Sequence, residues 1–168
     1  ITESTFGGRH ELVDTTGIMD YGSLIYIALQ RSKSAREAIK VMTDLVKEYG
    51  SDSSGETFSI ADTNEAWGLE MSGKGPGNKG AVWVAIRIPD DCISAHANQS
   101  RILQIPFDDK ENCMYSPDVV SFAREKGYFK GKDADFSFAK AYCPYDFSAL
   151  RGCEARVWSF FRKYDTTM

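Results

Sequence analysis

Between Phe58 and Arg101 the sequence reads FSIADTNEAWGLEMSGKGPGNKGAVWVAIRIPDDCISAHANQSR, and its apolar residues fall at alternate positions in successive runs. Phe58 and Ile60, then Trp67, Leu69 and Met71, keep the period of two that a half-buried strand requires. Farther on, Val82 and Val84 alternate with Ala81, Trp83 and Ala85, which suits a strand packed on both faces. The glycines at 73, 75, 77 and 80, with Pro76 and Asn78, supply the backbone freedom and stiffness of a chain reversal. This region is therefore expected to be an antiparallel meander. A last strand over Cys92–Ala97 is expected to bring His96, Asn98, Gln99 and Arg101 together at its end, where scaffolds commonly hold chemistry.

The rest of the chain fits an α+β domain built on that sheet. Ile1–Phe6 is β-branched and runs into Gly7-Gly8, as an edge strand entering a turn would. Asp20 can cap an apolar helix ending near Arg31, which is expected to be largely buried. Ser34 and Glu37 have the spacing of a capping box. The apolar residues Ala35, Ala38, Ile39, Met42, Leu45, Val46 and Tyr49 then follow helical spacing up to Gly50. Two helices joined so closely imply a helical hairpin on the sheet. Ser116-Pro117-Asp118 opens a further helix, Phe136–Tyr145 is ambiguous, and a last helix is expected from about Leu150 to Arg162.

Several function classes are disfavoured. A formal charge of −4, with no clustered Lys and Arg, argues against nucleic acid as a partner. No apolar run approaches 18 residues, so no membrane span is expected. The cysteines, Cys92, Cys113, Cys143 and Cys153, are too far apart for a CxxC motif. Beside only His10 and His96 they suggest neither a zinc site nor any cofactor. The 168 residues read as one domain without a boundary or repeat. Because they begin at Ile1 and open almost directly into a strand, a preceding segment is expected.

A few polar residues could carry chemistry. The Asn98 amide could donate to a developing oxyanion, or simply bond turn backbone. A glycosylation sequon at Asn98-Gln99-Ser100 is set aside because Asn98 follows an expected core strand. His96 could act as a base, yet no motif places a Ser or Cys beside it, and a structural histidine is the alternative. Arg156 could clamp a carboxylate with its planar fork or form a salt bridge with Glu154. Asp62 and Glu70 need partners if buried, and structural pairing is expected for both.

The joint occurrence of TFGGR at Thr5–Arg9, REAI at Arg36–Ile39, IADTNEAW, WVAIRIPDD, HANQSR and EARVW at Glu154–Trp158 resembles the dipeptidase A family of bacterial peptidases. These are N-terminal nucleophile hydrolases related to penicillin V acylase and bile salt hydrolase. The resemblance implies a four-layer αββα fold and dipeptide hydrolysis through a cysteine acyl-enzyme. It also implies that Asn98 and a backbone N–H at Thr5 stabilise the oxyanion, with Arg156 in the catalytic surroundings. No cysteine here matches the family's nucleophile. The 168 residues are thus expected to be a middle segment of a longer hydrolase domain, inactive alone, and able to associate through open sheet edges or with the remainder of the chain. The alternative is a binding or structural module that keeps the scaffold without the chemistry.

Overall fold

The computed structural model describes residues 1–165 and 167. Its centre is one antiparallel sheet of five strands, β1 (Thr2–Thr5), β2 (Glu56–Ala61), β3 (Ala66–Gly73), β4 (Ala81–Ile88) and β5 (Cys113–Tyr115), ordered as in the chain. The architecture is α+β, as the alternation implied. Phe58 pairs with Leu69, Leu69 with Ala85, and Ala85 with Met114. This register puts Phe58, Ile60, Trp67, Leu69 and Met71 on one face, since side chains alternate along each strand. The glycine-rich segment joins β3 to β4 as expected. Gly75, at a φ of +89°, leaves no room for a Cβ, which would lie 2.7 Å from the Glu11 carbonyl oxygen.

That apolar face is covered by the helical hairpin α1 (Tyr21–Arg31) and α2 (Ala35–Tyr49). Ser34 accepts a hydrogen bond from the Glu37 N–H, but the Glu37 carboxylate reaches to the N–H of Lys33 at 2.7 Å, one residue beyond a standard capping box. Asp62 accepts from the Ala35 N–H at 2.8 Å, tying the helix start to the β2–β3 turn. The expectation that α1 is largely buried does not hold. It packs chiefly on α2, so Leu24 and Ala28 are buried while Tyr26 and Leu29 face outward.

The opposite face is apolar at Val82 and Val84 of β4. There it meets α3 (Val119–Glu125) and α4 (Phe138–Tyr142), whose Phe138 and Tyr142 are fully buried. Toward β1 the same face turns polar, with Ser4, Thr57, Ser59 and Glu70. The expected strand over Cys92–Ala97 is not formed. The outer edge of β4 is already paired with β5, and Pro89 begins a turn, closed by the Cys92 N–H on the Pro89 carbonyl, that leads the chain off the sheet. Residues 92–97 instead run over the polar face.

The last helix begins with a π-helical stretch, Ala149–Glu154, and continues as α5 (Ala155–Tyr164). It buries Ala149 and Val157 and leaves Trp158 half exposed, because polar bonds fix it in place rather than a packed apolar face. Among the described residues no helix is long and apolar enough to cross a membrane.

Candidate active site

Thr5 lies in the edge strand β1 opposite Glu56. The next pair along, Phe6 and Gly55, is hydrogen-bonded through the Phe6 N–H at 2.9 Å. Ladder bonds alternate in antiparallel pairs, so Thr5 turns its own N–H and C=O away from β2, off the sheet edge. The Thr5 carbonyl duly accepts from Asn98 Nδ2 at 2.6 Å. The Asn98 N–H donates to Ser4 Oγ at 2.6 Å, and Arg156 Nη2 donates to Asn98 Oδ1 at 2.9 Å. One amide is thus held at both ends, and one of its two N–H bonds stays uncommitted.

Thr5, Asn98 and Arg156 line one pocket of about 390 Å³, together with Glu3, Ser4, His96 and Ala97. The structure therefore brings the expected site residues together. Arg156 is not bound to Glu154, which pairs with Arg101; its other donors go to the carbonyls of Gly152 and Ala97. Asn98 is an exposed loop residue, not the end of a buried strand, with a φ of +56°. Asparagine tolerates that left-handed conformation better than most residues. The sequon cannot be dismissed for following a core strand, but its third residue, Ser100, is wholly buried and bonded to Glu70.

The turn at Asn98 sends the following residues inward. Gln99 donates to the Cys143 carbonyl at 2.6 Å. Glu70, 1% exposed, accepts from the Ser100 hydroxyl, the Arg101 N–H at 2.6 Å and the Ile102 N–H at 3.2 Å. Burial pushes its carboxyl above the ordinary value and these donors pull against it. Of the four residues expected together, His96 and Asn98 line this pocket, while Gln99 and Arg101 turn away from it to Cys143, Glu70 and Glu154. His96 Nε2 lies 2.8 Å from Ser59 Oγ, a neighbour that no local motif announced. Among the described residues its buried Nδ1 has no partner, and none of their acids orients the ring as a catalytic triad requires. Burial lowers its tendency to take a proton.

The cysteines are free thiols outside this pocket. Burial raises Cys113 to about 11 and also raises Cys143, and Cys92, exposed beside Asp91, is raised too, which disfavours the reactive thiolate. Glu56 is more unusual. Buried beneath Thr5, it accepts that residue's hydroxyl at 2.9 Å and is pushed up to about 7, chiefly by burial and partly by the charge of Glu3. A carboxyl raised in the folded state holds its proton to higher pH there than in the unfolded chain. Its stabilising contribution is full below the ordinary glutamate value of 4.5 and is lost as pH rises through 7. Glu56→Gln should therefore unfold later than the parent at pH 8, by up to roughly 3 kcal/mol, with the gap closing near pH 4. Denaturant titration at the two pH values measures it, and a constant gap would contradict the assignment.

Comparison with known proteins gives the class first: the chain is of the peptidase type. It belongs to peptidase family C69, whose sequence model matches residues 1–168. It is similar to a probable dipeptidase of Salmonella dublin, at 31% identity over 98% of this chain and 37% of that protein. A probable dipeptidase of Latilactobacillus sakei is 34% identical over 71% of this chain and 24% of its own length. A probable dipeptidase B of Streptococcus pyogenes serotype M1 is 30% identical over 73% and 23%. The chain thus spans little more than a third of the length of these relatives at most.

Proposed function

We propose that this chain forms the carbonyl-receiving part of a dipeptidase that works through a cysteine acyl-enzyme. The observation that carries the reading is the Asn98 amide, fixed between the Thr5 carbonyl and Arg156 beside the outward-facing Thr5 N–H. Two N–H donors directed into one pocket suit the oxyanion of an amide under attack. Asn98 Nδ2 and Thr5 N–H stabilise that oxyanion, and Arg156 keeps the amide from turning its oxygen toward it. A thiolate adds to the scissile carbonyl, the C–N bond breaks as the departing amine takes a proton, and water then releases the acyl group.

In this reading the attacking thiolate is none of the cysteines present, since none lines the pocket; other residues of the longer protein bring it there. The names of the relatives, probable dipeptidases, support dipeptides as the substrate class.

The test compares the full-length protein with the isolated 168 residues on a panel of dipeptides. Turnover by the former that alkylation of its thiols abolishes, and none by the latter, is the expected result. Thiol-dependent turnover by the isolated chain would overturn the placing of the nucleophile. A full-length protein that binds dipeptides without cleaving them would favour the non-catalytic module.

A further inference from the structure

Glu3 is a charged group of the same pocket to which the proposed chemistry gives no task. It lies two residues before Thr5 on β1, opposite Phe58, and so leaves the strand on the same side as Thr5. It lines the pocket with Thr5, Asn98 and Arg156. Among the described residues it has no salt-bridge partner within 4 Å. Its carboxylate accepts from Thr5 Oγ1 at 3.4 Å, a hydroxyl that lies nearer to Glu56, at 2.9 and 3.1 Å, and it also lies in hydrogen-bond contact with the Glu56 carboxyl. Glu3 thus shares the Thr5 hydroxyl with Glu56, which has the Ser53 hydroxyl as well, and among the described residues no cation pairs with either carboxyl. Arg156 lines the same pocket but is turned to other acceptors: its Nε and Nη2 donate to Gly152, Ala97 and Asn98, and it forms no ion pair with Glu3.

We infer that Glu3 anchors the free α-ammonium group of the dipeptide, so that the site requires an unblocked N-terminus. This rests on the dipeptidase reading. In any dipeptide the ammonium nitrogen is two bonds from the scissile carbonyl carbon, roughly 2.5 Å away. Same-face residues two apart on a strand are separated by about 6.6 Å. An oxyanion about 2.9 Å from the Thr5 N–H therefore leaves the ammonium group between Thr5 and Glu3, within reach of a glutamate side chain. A charge-assisted bond there fixes which end of the dipeptide faces the oxyanion donors.

The experiment measures kcat and KM of the full-length protein for alanyl-alanine and N-acetyl-alanyl-alanine, in the parent, Glu3→Gln and Glu3→Asp. The parent should strongly prefer the free dipeptide. Glu3→Gln should raise KM for it about tenfold, the expected loss for one charged hydrogen bond. It should change kcat less and leave the acetylated substrate as it was, while Glu3→Asp recovers part of the preference. An unchanged preference in Glu3→Gln, or equal losses on both substrates, overturns the assignment of Glu3 while leaving the dipeptidase reading intact. A parent that cleaves both substrates equally well overturns it in the same way. A parent that cleaves neither overturns the dipeptidase reading and this inference with it.

Discussion

Asn98→Ala in the full-length protein is expected to lower kcat for dipeptide hydrolysis about a hundredfold, roughly 3 kcal/mol of transition-state stabilisation. The loss should fall mainly on kcat, because an oxyanion donor acts more strongly on the developing charge than on the resting carbonyl. A complication is that Asn98 sits at a φ of +56°, where alanine is strained by about 1–2 kcal/mol. Asn98→Gly separates the effects, since glycine adopts that conformation freely and still removes the amide. The two variants should be similarly slow and differ in thermal stability. Asn98→Asp should be slow too: it keeps the Arg156 contact but loses the donor to Thr5 and puts negative charge where the oxyanion forms. Steady-state kinetics on all three variants checks this, and near-normal turnover by Asn98→Gly would remove Asn98 from the oxyanion site.

What was legible in the sequence depended on how local the determinant is. The alternation through Phe58, Ile60, Trp67, Leu69 and Met71 fixes which side chains share a face, and the observed register obeys it. The Ser34 cap and the glycine-rich turn are local as well, and both formed. Reading Cys92–Ala97 as a strand failed because alternation cannot reveal that β5, some twenty residues on, already occupies the edge of β4. The same blindness hid Ser59 beside His96, since only folding brings β2 against the segment that crosses its polar face. For α1 and α5, apolar content indicated a helix without saying how much neighbouring structure would cover it. Asn98, Thr5 and Arg156 could be grouped only through the family resemblance. Nothing in their spacing shows that an edge-strand carbonyl, a loop amide and a helix guanidinium meet.

Glu70→Ala is expected to be the most destabilising of the substitutions considered, by about 3–5 kcal/mol, because it strands one buried and two part-buried donors at once. The Ser100 hydroxyl and the N–H groups of Arg101 and Ile102 have this carboxylate as their acceptor in the interior. Glu70→Gln should lie between, since its amide oxygen still accepts while its NH2 group opposes donor with donor. The consequence reaches the site through the chain itself. Residues 100–102 are the inner foothold of the turn at Asn98, and its outer foothold is the bond from the Asn98 N–H to Ser4. With the inner one gone, Asn98 no longer holds a single orientation toward Thr5, so turnover should fall even well below the unfolding temperature. Denaturant unfolding followed by the fluorescence of buried Trp67, with kinetics at a temperature where both proteins are folded, measures both effects. A stability loss below about 1 kcal/mol, the worth of a single ordinary hydrogen bond, would mean that the loop is held by Gln99 and its bond to Cys143 rather than by Glu70.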